Sequence, residues 1–145
     1  AAVFLSELKA KSFPEEELQN NSVLITADTV VSLDGQILGK PKDEQEAFKM
    51  LKSLSGNCHE VISAFTFRSK NKMQSFSNET KVYFKELTKL EIEYYITNYQ
   101  PFDKAGAYGI QEWIGQIGVT KLEGSYFNVM RFPVHLVYKT LINLF

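Results

Sequence analysis

The sequence predicts an α/β fold, a mixed twisted sheet covered by helices. Three observations carry that expectation. Short β-branched apolar runs alternate along the chain with capped amphipathic stretches. The 145 residues are enough for one domain with a sizeable core. Apolar residues make up 44% of the chain and charged residues 23%, with eleven Phe and seven Tyr, a balance that belongs to a folded interior rather than to disorder.

The elements follow in order. Ala1 to Ala10 reads as the middle of an amphipathic helix running to about Ser12. Neither Met nor a capping residue stands before it, so further sequence is expected upstream. Phe13-Pro14 and three glutamates form a solvated link. Ser22-Val-Leu-Ile-Thr-Ala is a buried strand expected to end at Asp28. Val30 to Leu33 and Gln36 to Leu38 make a hairpin, because Asp34-Gly35 supplies the positive φ of a type I′ turn.

Asp43, with Glu46 three residues later, is a capping box. The helix behind it places Ala47, Met50, Leu51 and Leu54 on one face and stops at Ser55-Gly56. Val61 to Phe67 is a strand, Lys70 to Lys72 a polar turn, and Glu79 to Phe84 another strand. Thr88 and Glu91 box a second helix to Asn98. Gly115 to Lys121 and Ser125 to Met130 are expected to be extended, and Pro133 to open a final helix to Leu144. No internal repeat or linker breaks the pattern, so a single domain over 1–145 is expected.

Composition narrows the function classes. Sixteen basic and seventeen acidic side chains give a net charge of −1, so no global field draws the chain to nucleic acid or anionic membrane. The single cysteine, Cys58, rules out an intrachain disulfide and suits a reducing compartment. It reads as a packing residue in preference to a nucleophile. No apolar run approaches the roughly 18 residues of a membrane span. A cytoplasmic protein acting on a small molecule is expected.

Two segments carry polar residues where neither a core nor a plain surface would put them. In Thr26-Ala-Asp28-Thr29, a carboxylate ends an apolar strand, where α/β proteins place ligands. Asp28 there can hold a metal ion or accept a proton from water, or simply bend the hairpin. Lys40 follows in Gly39-Lys40-Pro41; if the hairpin folds back it returns near Asp28 and suits a phosphate, the plainer reading being a solvated loop lysine. The second segment is Asp103-Lys-Ala-Gly-Ala-Tyr-Gly-Ile-Gln111. Its small residues at 105, 106, 107 and 109 let backbone approach a ligand, and the Gln111 amide has donors and an acceptor for a base edge.

Other patterns are missing. His59 and His135 stand 76 residues apart and form no zinc motif with the lone cysteine. There is neither a Walker lysine nor a Gly-x-Ser-x-Gly elbow. Trp113 and Tyr126 could stack on a base but read better as core.

Taken together, the ordered segments resemble the Maf family. They are Ala27-Asp-Thr-Val-Val, Gly35-Gln-Ile-Leu-Gly-Lys-Pro, Glu46-Ala to Met50-Leu, Leu54-Ser-Gly with His59, the stretch Asp103 to Gln111, and Glu123-Gly-Ser-Tyr-Phe-Asn-Val-Met. The resemblance spans about residues 3 to 140. It implies a fold like that of inosine-triphosphate pyrophosphatases, with a nucleotide cleft. It further implies hydrolysis of dTTP or UTP to the monophosphate and pyrophosphate, dependent on Mg2+ or Mn2+. Asp28 matches the aspartate assigned as proton acceptor, with metal ligation as an equal alternative or a second role. Lys9 and Lys40 match lysines of the phosphate site, and Thr29 and Gln111 match positions that mark the dTTP/UTP branch. The expected partner is the nucleoside triphosphate, with no nucleic acid and no membrane; a homodimer is left open.

Three departures from the family pattern matter. The strand and Ser-x-Ser-Pro-Arg-Arg loop that open the family are absent, as is a glutamate that follows them, so this stretch alone is expected to hydrolyse nucleotide barely. Glu112 stands in place of a common glycine, and Arg131 in place of another. Because the family is also tied to septum formation, a nucleotide-binding regulator of division without significant catalysis is the competing reading. Keeping Asp28, Lys9 and Lys40 together favours the enzyme.

Overall fold

The computed structural model describes residues 1–19, 22–129, 137–139 and 141–142. The chain forms α1 (Ala2–Ser12), β1 (Leu24–Leu33), β2 (Gln36–Leu38), α2 (Glu44–Leu54), β3 (Cys58–Arg68), β4 (Met73–Phe84), α3 (Lys89–Tyr99), α4 (Trp113–Gly118), β5 (Val119–Glu123) and α5 (Tyr126–Val129). The strands make one sheet in the order β2-β1-β3-β4-β5. The α/β class stands, and every pairing among the described residues is antiparallel.

Side chains alternate across the strands, and the two faces of the sheet are packed differently. On one face Val31, Val61, Val82 and Phe84 meet Leu51 and Leu54 of α2, Ile92, Tyr95 and Ile96 of α3, and Tyr108 and Ile110. This is the main core. Farther along the same face Phe65, Phe67 and Phe76 pack with Val137 and Leu141, whose segment is helical at 137–139 and 141–142. On the other face Val30, Ile62 and Ala64 meet Ala2 and Val3 of α1.

Local chemistry explains three of the boundaries. The Asp43 carboxylate accepts from Glu46 N at 2.8 Å and starts α2. Thr88 and Glu91 close a full reciprocal box before α3. Asp34 and Gly35 take φ of 50° and 81°, as the tight β1–β2 turn demands.

The structure corrects four sequence expectations. β1 does not end at Asp28; it runs on to Leu33, with Asp28 opposite Ala64. A carboxylate is tolerated in mid-strand because α1 supplies a partner for it. Second, α1 buries a stripe of small residues, Ala2, Ser6 and Ala10, and leaves Phe4 (66%) and Leu8 (50%) exposed, so its apolar residues do not mark its packed side. Third, 115–118 is helical, because Ile114, Gly115 and Gly118 share a buried side at helical spacing. Fourth, Tyr126–Val129 is a helical turn. Met130, Arg131, Pro133 and His135 lie outside the described residues.

Candidate active site

β1 pairs with β3 along Leu24–Ser32, but β2 covers only Val31–Leu33 on its other side. Among the described residues the edge of β1 before Val31 therefore has no strand partner. A cleft of about 290 Å³ lies along that edge, lined by Lys9, Ala27, Asp28, Thr29, Lys40, Asp103 and Ala105. α1 forms one wall and the loop after α3 the other, with the β1 edge between them.

The α1 wall delivers Lys9. Its Nζ donates to Asp28 Oδ1 at 2.8 Å and to the Ala27 carbonyl at 2.9 Å, so it meets both the carboxylate and the open backbone edge. Lys9 is 54% exposed and Asp28 19%, which leaves the ammonium within reach of an incoming anion. Polar contacts fix the helix in register. The Ser6 hydroxyl lies 2.7 Å from that of Thr66, which lies 2.9 Å from that of Ser75, which donates to Glu7 at 2.7 Å. Thr26 donates to the Ser6 carbonyl at 2.6 Å. Arg68 Nη1 donates to the carbonyls of Ala10 and Phe13 at 2.7 and 2.8 Å, taking up acceptors that every helix end leaves free.

The opposite wall is the stretch Asp103–Gln111. Gly106 and Ala107 adopt left-handed φ of 71° and 64°. A Cβ at Gly106 would lie 3.0 Å from Val31 Cγ1, so glycine lets the loop press against β1. Gly106 N donates to the Gly39 carbonyl at 3.1 Å, which ties the loop to the residue before Lys40. Asp103 pairs with Lys104 at 3.3 Å, and that contact holds its carboxyl below the usual range. Deeper in, His59 Nε2 meets the Tyr108 hydroxyl at 2.6 Å while burial lowers the imidazole to about 4. His59 Nδ1 has no partner among the described residues.

Four of the five sequence candidates thus meet in one cleft: Lys9, Asp28, Thr29 and Lys40. Asp28 and Thr29 point to opposite faces of β1, and the Thr29 hydroxyl lies 3.0 Å from that of Ser63. Gln111 is exposed and stands outside the lining. Sequence reasoning missed Asp103 as a site residue, although it opens the glycine-rich segment. It also missed Arg68, whose contacts lie 55 and 58 residues away and leave no local signal.

Elsewhere, Cys58 is half-buried on β3, and Trp113 packs edge-on to Tyr94 at 4.8 Å. A roomier groove of about 380 Å³ lies between α2 and α3; it carries Glu44, Lys49 and Glu93 around Phe48 and Ile96, and none of the five sequence candidates lines it. No helix among the described residues is long and apolar enough to cross a membrane.

Two lysines and two carboxylates around an open strand edge define an α/β protein equipped to receive a polyanion. The family model described as Maf-like protein matches residues 1–144, and the chain belongs to that family. It is similar to the dTTP/UTP pyrophosphatase of Christiangramia forsetii, with 58% identity over 138 residues, covering 95% of this chain and 70% of that protein. The dTTP/UTP pyrophosphatases of Porphyromonas gingivalis (46% over 140 residues, 96% and 70% covered) and Thermosipho africanus (50% over 137 residues, 94% and 69% covered) are similar too.

Proposed function

We propose that this chain carries the catalytic cleft of a pyrophosphatase that hydrolyses dTTP and UTP to the nucleoside monophosphate and pyrophosphate. The observation that carries the reading is the Lys9–Asp28 pair at the open edge of β1, in one cleft with Lys40. Relatives named for this activity support the choice of substrate.

In this reading Lys9 and Lys40 receive the phosphates through charge-assisted hydrogen bonds. Asp28 orients the attacking water and accepts its proton as the water oxygen bonds to the α phosphorus. The bond from the α phosphorus to the bridging oxygen breaks, and pyrophosphate leaves with its electron pair. Catalysis is then positioning plus charge neutralisation. Thr29 follows Asp28 on the strand and lines the same cleft from the other face of β1, and Gln111 reads the pyrimidine edge on binding.

The donors lining the cleft suit a divalent cation such as Mg2+ or Mn2+. Asp28 and Asp103 offer carboxylate oxygens, and among the described residues no His or Cys lines the cleft, which fits a hard ion that keeps waters and takes phosphate oxygens. Asp28, with Asp103, would hold it. It would offset charge on the phosphates.

The test is pyrophosphate release by the full-length protein from a panel of nucleoside triphosphates. Preferential release from dTTP and UTP is expected. Nucleotide binding without release from any member would support the regulator instead. Gln111→Ala should narrow the ratio of kcat/KM for dTTP over dCTP; an unchanged ratio removes Gln111 from base choice.

A further inference from the structure

The loop wall of the cleft is closed by contacts among its own ends. Tyr95, wholly buried on α3, donates its hydroxyl to Glu112 Oε1 at 2.8 Å and accepts from Gly109 N at 3.1 Å. The same Glu112 oxygen lies 3.6 Å from Lys104 Nζ, which holds Asp103 at 3.3 Å. A chain of contacts thus runs from Asp103 in the cleft through Lys104, Glu112 and Tyr95 to the backbone of Gly109. There is no spare room inside it, since a Cβ at Gly109 would lie 2.8 Å from both Glu112 Oε1 and Lys104 Cε.

We propose that Glu112 and Tyr95 form a clasp that positions residues 103–109 for nucleotide binding; the inference rests on the function proposed above. Within that span Ala107 holds a left-handed φ, a conformation that persists in a non-glycine residue only where its surroundings enforce it. The clasp is a fastening of that kind, and it reaches the cleft in two ways. Through Lys104 it sets the direction of Asp103. Through the loop it sets Gly106 N, which holds the Gly39 carbonyl beside Lys40. Glu112 and Tyr95 are positioning residues, and neither lines the cleft.

The clasp makes a specific pattern of variants. Glu112→Ala removes the acceptor for Tyr95 and the counter-charge for Lys104. Glu112→Gln keeps an oxygen for the tyrosine. Tyr95→Phe removes only the hydroxyl. In the full-length protein, Glu112→Ala and Tyr95→Phe should each raise KM for dTTP about tenfold with kcat within about threefold. Glu112→Gln should restore most of the loss. The Tyr95→Phe/Glu112→Ala double variant should be no worse than the poorer single, because the two residues act as one unit. Amide exchange at Gly109, read without nucleotide, should quicken about tenfold in Tyr95→Phe. Unchanged KM in both singles, or multiplicative effects in the double variant, would overturn the clasp. A wild type that releases no pyrophosphate would instead overturn the proposed function. The clasp would then be judged on amide exchange alone, and unchanged exchange at Gly109 would overturn it.

Discussion

The two walls of the cleft face each other across one strand edge and are held by different physics. α1 rests on the sheet through small residues and a run of hydroxyls, from Ser6 through Thr66 and Ser75 to Glu7, with Arg68 over its end. The loop wall is backed by the main core, where Leu51, Leu54, Ile92 and Tyr95 are wholly or almost wholly buried. Apolar packing is strong but indifferent to direction, whereas hydrogen bonds are weaker and directional. The wall that must aim Lys9 at Asp28 uses the directional kind. The other wall uses packing for strength and adds a few polar contacts for aim.

This contrast can be broken by variants that separate stability from substrate affinity. The largest effect on stability belongs to the packed side. Leu51→Ala should cost about 2–5 kcal/mol of unfolding free energy. KM for dTTP, measured where the variant is still folded, should hardly move. A KM that rises in step with the lost stability would mean that the core, too, aims the site.

The next effect is on pH. Burial lowers the His59 imidazole from 6.5 to about 4, so the native state resists a proton that the unfolded chain accepts. Stability is therefore full above about pH 6.5 and falls as pH drops towards 4, by up to about 3 kcal/mol from this group. Chemical denaturation across that range should show the loss, and His59→Phe should flatten its slope. A slope unchanged in the variant would assign the acid sensitivity to other groups.

The smallest stability change belongs to the hydrogen-bonded wall. Arg68→Ala should cost about 2 kcal/mol, the scale for hydrogen bonds from a charged donor. Its effect on function should be out of proportion, with KM for dTTP up about fivefold, because Lys9 sits one residue before the Ala10 carbonyl that Arg68 holds. If KM stays unchanged while stability falls, α1 needs no such fastening to present Lys9.

The same contrast explains what the sequence showed. α2 was legible from its apolar spacing and its cap and α3 from its capping box, signals that follow from local residue order, and the structure keeps Asp43 and Thr88 as caps. The extent of β1 was misjudged because Asp28 looks like a strand end until Lys9, 19 residues away, is in place opposite it. α1 was legible as a helix, but its packed side was not, since Ala2, Ser6 and Ala10 carry no apolar signal beside Phe4 and Leu8. Lys9, Asp28, Thr29 and Lys40 were found as a set through ordered motifs. Asp103 became a cleft residue only when the loop was seen folded against Gly39 and Val31.

The central claim is that the cleft at the open edge of β1 is where nucleotide is cut. Asp28→Asn in the full-length protein tests it most directly, since the change keeps the size of the side chain and removes its charge. Pyrophosphate release from dTTP at saturating nucleotide should fall at least about a hundredfold, the scale of a lost base or metal ligand. The circular dichroism spectrum should be unchanged. Release within a few-fold of wild type would place the chemistry elsewhere.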